Sequence, residues 1–523
     1  MSCSKIFSGD LPELIYEIIK YFQNDYSTLY SCILVNKLWC RLAIPLLWED
    51  PFSIPTKNYN FIKIYLHNLN DDDFNTKLDE YKIVNNSLPS NILFNYPRFL
   101  KYLNIYEFIY LVEKWFKSAT GIRKQLATTD FEKLSFICVS IFRIIIIENE
   151  VNLHTLEIEK SGFDYYLACI GNILELILKN PNFIHHIRNL NLYFGNSYVG
   201  SSKYTLMNNR ISQIIKLHQN LKKIMLDYYD CIPLYQSLLT EYFNCSNTLN
   251  TIIFHYVNLN CIRNLQKVFE RLNVLESVHI YYCYSLNTSF IQQIINLTKP
   301  FKLKSLFMND ISQVESLELL LQKSGDYLEN FGYILEVNFK LSSKQQLLEL
   351  ITKYCKNIKF LDFHYGCERQ IIYQLLNLIE NIKLSINYLS FDVWYDYTET
   401  GGYSSIILQD LGQILPSKLE YLCLNIYHIK TNDFELFLKN IQDTFIKKLV
   451  IENFQFLVNI LPSIKEYIMK KKRVKYLAIK NSTLVKELIS LKDVVDEFKL
   501  YNIKVQSYDD LKINLRNYIK KID

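Results

Sequence analysis

The chain has 523 residues, too many for one compact core, so several domains or an elongated repeat array are expected. About half of the residues are hydrophobic and Gly and Pro are scarce, which excludes a largely disordered chain. The net charge of +5 comes from 58 basic and 53 acidic residues that are interspersed rather than blocked, so no field for nucleic acid, and no nucleic-acid partner, is expected.

At the N-terminus, Asp10 and Glu13 have the spacing of a reciprocal helix cap, and Pro12 falls in the first turn, where a missing N–H is harmless. Leu11, Leu14, Ile15, Ile18, Ile19 and Phe22 recur at intervals of three and four, which lays a wide apolar stripe along a helix. Ser27 is placed to cap a second short helix with Leu29, Cys32 and Ile33. Asn36 precedes a third with Leu38, Trp39, Leu42 and Ala43, which Pro45 is expected to stop. Three short helices make a very small core, and a unit of that size usually needs a partner, a metal or a disulfide. No metal set stands here, so a partner is expected.

This stretch, Asp10 to Trp48, resembles the F-box. Leu11-Pro12 opens the first helix, Leu14, Ile15 and Ile18 line it, and Leu34-Val35-Asn36-Lys37-Leu38-Trp39 follows the family's hydrophobic run ending in tryptophan. The resemblance implies docking onto the Skp-type adaptor of a cullin–RING ubiquitin ligase, with Leu11, Pro12, Leu14, Ile15, Ile18, Val35 and Trp39 as the adaptor-binding residues. The alternative is an N-terminal helical cap that only seals the next domain.

Residues 51–97 read as a linker with one helix around Phe61, Ile62, Ile64 and Tyr65, and Asp71-Asp72-Asp73 reads as a solvated turn. The greasiest run, Leu134 to Ile147, is broken by Arg143 and is shorter than the roughly 20 residues of a spanning helix. With no signal peptide visible, the chain is expected to be cytoplasmic or nuclear, with no membrane partner.

From residue 98 a pattern of apolar, two variable, apolar, one variable, apolar recurs. It begins with Leu100-Leu103-Ile105 and runs through Leu153-Leu156-Ile158, Ile187-Leu190-Leu192, Leu221-Ile224-Leu226, Leu249-Ile252-Phe254, Leu275-Val278-Ile280 and Leu303-Leu306-Met308. It continues with Leu328-Phe331-Tyr333, Ile358-Leu361-Phe363, Ile386-Leu389-Phe391, Leu419-Leu422-Leu424, Ile446-Leu449-Ile451, Val474-Leu477-Ile479 and Val495-Phe498-Leu500. From Leu153 on, the starts lie 21 to 34 residues apart. Amphipathic helix candidates fall between them, with Ser342 to Gln345 and Asn432 with Glu435 placed as caps. Each unit is a short strand followed by a helix, and stacking such units builds a core that no single unit can.

The pattern resembles leucine-rich repeats of the long, helix-bearing kind. It departs from them at the ninth position, where only Cys283 stands; Asn453, Asn481 and Asn502 fall one place early. The expected fold is α/β, an N-terminal three-helix unit (residues 9–50) followed by a repeat solenoid (98–505) and a capping helix (506–523) with a polar outer face.

Twelve glycines form no phosphate-binding or nucleophile motif, and twelve cysteines form no Cys-x-x-Cys pair, so neither an enzyme, a cofactor nor a metal site is expected. His364 with Cys367 and the basic run Lys470 to Lys475 read as ordinary repeat surface. The variable positions of the strands should line the concave face, which puts His279, Phe307, Phe360, Tyr388, Tyr421 and Tyr476 there as the candidate surface for a protein target of unknown identity.

Overall fold

The computed structural model describes residues 11–23, 25–54, 59–67, 72–81, 83, 93–148, 151–159, 164–193, 202–227, 232–238, 243–309, 314–334, 340–366, 368–395, 402–427, 429–441, 443–453, 460–469, 471, 473–483 and 486–521. Asp10, Asp71 and Cys367 lie outside them. The chain folds as two compact units, Met1–Ile252 with Arg271–Val274, and Ile253–Glu270 with Leu275–Asp523, so the division falls inside the stretch read as one repeat array.

Unit 1 begins with three helices, α1 (Pro12–Lys20), α2 (Tyr26–Ile33) and α3 (Lys37–Leu47). Pro12 occupies the first turn of α1. Asn36 caps α3 by accepting from the Trp39 N–H at 3.0 Å. Asp25, and not Ser27, caps α2 by accepting from the Thr28 N–H at 3.1 Å, because Asp25 stands directly before the helix and Ser27 already lies in its first turn. Pro45 does not stop α3, which runs on to Leu47. The apolar stripes meet in a small core of Ile15, Ile19, Leu29, Cys32, Trp39, Ala43 and Leu46. Of the aspartates expected to form a turn, Asp72 and Asp73 lie in the first turn of a helix, Asp72–Glu80.

Beyond them the chain repeats strand and helix. Unit 1 holds β1 (Tyr102–Asn104), β2 (Thr155–Glu159), β3 (Asn189–Tyr193) and β4 (Lys223–Asp227), each parallel to the next. The division falls at β5 (Thr251–His255). Unit 2 holds β6 (Ser277–Tyr281), β7 (Leu303–Met308), β8 (Asn330–Ile334), β9 (Phe360–Gly366), β10 (Tyr388–Tyr395), β11 (Lys418–Ile426), β12 (Phe445–Asn453) and β13 (Val474–Asn481), again parallel and in chain order. Each unit is therefore a solenoid-like α/β stack. The last two positions of every triplet from Leu153 to Val474 lie in these strands and are buried, since side chains alternate across a strand and one face packs on the helices.

A backbone fork fixes the repeat. At the foot of a strand two successive N–H groups donate to one carbonyl of the preceding repeat. Lys101 and Tyr102 share Glu49 O, His154 and Thr155 share Lys101 O, and in unit 2 Asn387 and Tyr388 share Lys359 O. Glu49 thus supplies the rung before β1, and its carboxylate binds the Lys101 ammonium and the Gln23 amide. Trp48 and Phe52 are buried beside it, against Tyr96, Tyr65 and Phe108, so the end of the helical unit seals the first layer of unit 1.

Three further sequence expectations need correction. Ile105 opens a helix (Ile105–Thr120) instead of closing the first strand. Val495, Phe498 and Leu500 lie in the helix Lys492–Leu500, with Leu500 exposed; the strand there is β15 (Lys504–Val505), which pairs with β13 after the short β14 (Lys486–Glu487). The helices Leu341–Tyr354 and Thr431–Asn440 begin at Lys340 and Lys430 without a side-chain cap. Cys283 follows the left-handed Tyr282 and is buried, whereas Asn453 and Asn481 stand side by side at the buried ends of β12 and β13.

Candidate functional site

The seven residues assigned to adaptor binding divide between two environments. Ile15 and Trp39 point into the core of the three helices, 0% and 9% exposed, so neither is available for direct contact while that core stays packed. Leu11 and Pro12 are half-buried. Leu14, Ile18 and Val35 are 48%, 42% and 52% exposed, joined by Leu34 at 71%. Tyr21 and Tyr30 are exposed as well. A unit this small thus leaves several large apolar side chains partly in water, each forgoing part of the roughly 1.5–3 kcal/mol that full burial contributes.

The strand face of unit 2 carries the residues assigned to target binding, but it is not open. Pairing register sets His279, Ser305, Asn330, Phe360, Tyr388, Tyr421, Lys448 and Tyr476 in one row across β6 to β13. A second row runs Tyr281, Phe307, Gly332, Asp362, Ser390, Cys423, Val450 and Ala478, so Phe307 stands beside the first row rather than in it. His279, Phe307, Phe360 and Tyr421 are buried, and Tyr388 and Tyr476 half-buried. Expecting exposure from strand alternation alone neglected what lies on top.

The chain's own C-terminal segment lies there. After β15, Gln506 N–H donates to Leu477 O at 2.9 Å, and Ser507 caps the single turn Tyr508–Leu511. Tyr508 Oη donates to Glu452 Oε2 at 2.5 Å. Leu511 packs with Tyr421, Cys423, Val450 and Ala478. Ile513 N–H donates to Tyr421 Oη at 3.2 Å. In the helix Leu515–Lys520, the Tyr518 ring stands 4.9 Å from Phe360 and 6.3 Å from Tyr388, and its hydroxyl donates to Asn330 Oδ1 at 3.0 Å. Residues 506–521 therefore run back from β13 to β8 instead of capping the end of the stack. Burial raises the Tyr508 and Tyr421 hydroxyl pKa values and pushes Tyr518 up to about 12, so all three stay protonated as donors or acceptors.

Beside this row His364 is held between two carboxylates, Nε2 to Asp362 Oδ2 and Nδ1 to Asp392 Oδ2, both at 3.2 Å. Burial alone would lower the imidazole pKa, but the hydrogen bonds and charge of the two aspartates outweigh it and hold it at about 10. His364 is thus a fixed cation that neutralises its neighbours, a structural charge cluster that sequence reading passed over. The signal was Asp-x-His at alternate positions on one strand face.

In unit 1 the strand positions that alternate with the core are polar in contrast, with Glu157, Asn191, Lys223 and Asp227 among them, all four buried. Asn104 donates to Glu157 Oε1 at 2.6 Å. Among the described residues no group of three or more His, Cys, Asp or Glu is arranged to hold a metal ion, and no helix is long and apolar enough to cross a membrane. No family model matches the chain, and no curated protein matches it.

Proposed function

We infer that this chain is a substrate-receptor subunit of a Skp–cullin–F-box ubiquitin ligase. The N-terminal helices dock on the Skp-type adaptor, and the strand–helix stack presents a protein target to the rest of the ligase. The chain contributes proximity and orientation and makes no bonds itself. It works in the cytoplasm or nucleus, where that ligase does.

One observation carries the reading. Leu14, Ile18, Leu34 and Val35 lie uncovered on a helical unit whose core is already complete without them. These are residues of the Leu-Pro helix and of the run leading to Trp39, the same ones that carry the resemblance to the F-box. Ile15 and Trp39 take the role of supporting that surface from beneath. The test is affinity capture of the tagged full chain from its own cells with mass spectrometry. Recovery of a Skp-type adaptor and a cullin supports the reading, and their consistent absence overturns it.

A second reading is a non-catalytic repeat scaffold or inhibitor with an N-terminal cap. The seal that Trp48, Glu49 and Phe52 make over β1 favours it. That seal explains α3 and the segment after it. It gives no reason for Leu14, Leu34 and Val35 to stand in water, which is why the ligase reading is preferred.

A further inference from the structure

The tail on the strand face of unit 2 is bound differently from the elements beneath it. Past Val505 it makes no strand pairing, its two helices have four and six residues, and neither length is stable alone in water. Of residues 506–521 only Tyr508, Leu511 and Ile519 are buried. Its attachment is a series of side-chain seats. The Glu452 carboxylate receives the Tyr508 hydroxyl, Cys423 with Val450 receives Leu511, Tyr421 Oη receives a backbone N–H, and Phe360 with Asn330 receives Tyr518. Seats of this kind on a sheet held by eight parallel strands resemble a receptor and its ligand more than one continuous core. A segment fixed by so few buried side chains opens locally at a fraction of the free energy needed to open the strands.

We propose that residues 506–521 are an exchangeable occupant of a peptide-binding face, and that a partner protein binds by inserting a segment of the same chemistry. That segment presents a tyrosine, a leucine three residues on, a branched aliphatic two further and a second tyrosine five beyond, the spacing of Tyr508, Leu511, Ile513 and Tyr518. The first hydroxyl goes to Glu452, the second to Asn330. The tethered tail competes at an effective concentration on the order of mM, so a weak or partial match is excluded and only a segment filling several seats enters. This rests on the target-recognition half of the ligase reading and not on its adaptor half.

The test uses the full chain with Tyr508→Ala and Tyr518→Ala, which loosen the tail while leaving every seat intact. The probe is a fluorescein-labelled synthetic peptide of residues 505–521 of the native sequence, read by anisotropy. The double variant is expected to bind it at least about tenfold more tightly than the wild-type chain, and adding Glu452→Gln should weaken that binding again. Equal binding by variant and wild type, or no effect of Glu452→Gln, overturns the proposal. Hydrogen exchange on the wild-type chain covers the case in which the variant does not fold. The amides of 508–519 should exchange about a hundredfold faster than those of β10 to β12, and equal protection would mean that the tail is a permanent part of the core. Adaptor capture by the same variant separates the two ideas. Loss of peptide binding with the adaptor retained sinks only this proposal, while peptide binding without any adaptor sinks only the ligase assignment.

Discussion

The chain carries two apolar surfaces and treats them oppositely. On the N-terminal helices, Leu14, Ile18, Leu34 and Val35 face water with nothing of the chain described over them. On unit 2 a longer row, from His279 to Tyr476 and mostly aromatic, is overlaid through its middle and far end by residues 506–521. The molecule thus has the means to cover apolar surface, and covers the larger expanse. On the ligase reading, what it leaves open on the helices is the surface an adaptor would cover; on the proposal for the tail, the covered face is both a structural layer and a seat to be vacated before use. The physical consequence is a difference in kind. Substitutions on the covered face should cost stability, and substitutions on the open face should cost only binding.

The largest effect should come from under the open face. Trp39→Ala removes a nearly buried ring from a core of a few side chains and should destabilise the three helices by about 3–5 kcal/mol, enough to make them protease-sensitive at room temperature. Next is the charge cluster on the covered face. His364→Gln leaves Asp362 and Asp392 facing each other without their cation, a cost of about 3 kcal/mol in urea unfolding. The pH dependence has a fixed sign. The folded pKa is raised above the usual 6.5, so the stabilisation is complete below that value and is lost as pH rises through about 10. Wild type should lose stability over that window, and the His364→Gln chain should lose less.

Gly332→Ala should cost about 1–3 kcal/mol, because an added Cβ would stand 2.1 Å from Phe307 Cδ1 and the ring would have to leave its place in the row. A neutral result would show that the covered face is loosely packed and differs less from the open one. Smallest in stability is Val35→Asp on the open face, expected within about 0.5 kcal/mol of wild type by thermal unfolding. A large loss there would mean that Val35 is part of the helices' own core.

His218 in unit 1 sets the opposite pH limit. It is fully buried, and burial, with His185 nearby, lowers its pKa to about 3. Between about pH 6.5 and 3 the unfolded chain takes a proton that the folded one refuses, so stability falls as pH drops through that window. Its replacement by Leu should flatten the acid limb of the stability profile.

Much of this architecture was legible because each strand needs the same local pattern. Two apolar residues one apart must face the helices, and the fork of N–H groups fixes the strand's foot. The triplet at Leu328 follows the same rule as its neighbours. Val495-Phe498-Leu500 reads as a strand triplet, but only its step of three fits a helix face; Leu500, two residues on, points away from that face and is 80% exposed. Ser27 is the cap expected from the sequence, and Asp25, two residues before it, takes that place because only the backbone decides where the helix begins. The tail was out of reach for a different reason. Nothing within residues 506–521 says what they pack against; the usable hint lay elsewhere, in a run of aromatic residues on a strand face that water would not tolerate uncovered.

We infer that the open helical face is a docking site for a Skp-type adaptor. Titration of purified full-length chain with that adaptor in a calorimeter tests it directly, using wild type and the Leu14→Asp, Val35→Asp double variant at matched fold stability. Wild type should bind saturably, and the variant should lose at least about thirtyfold in affinity, the mark of an interface hot spot. Equal affinity for the two chains, or no binding by either, would contradict it.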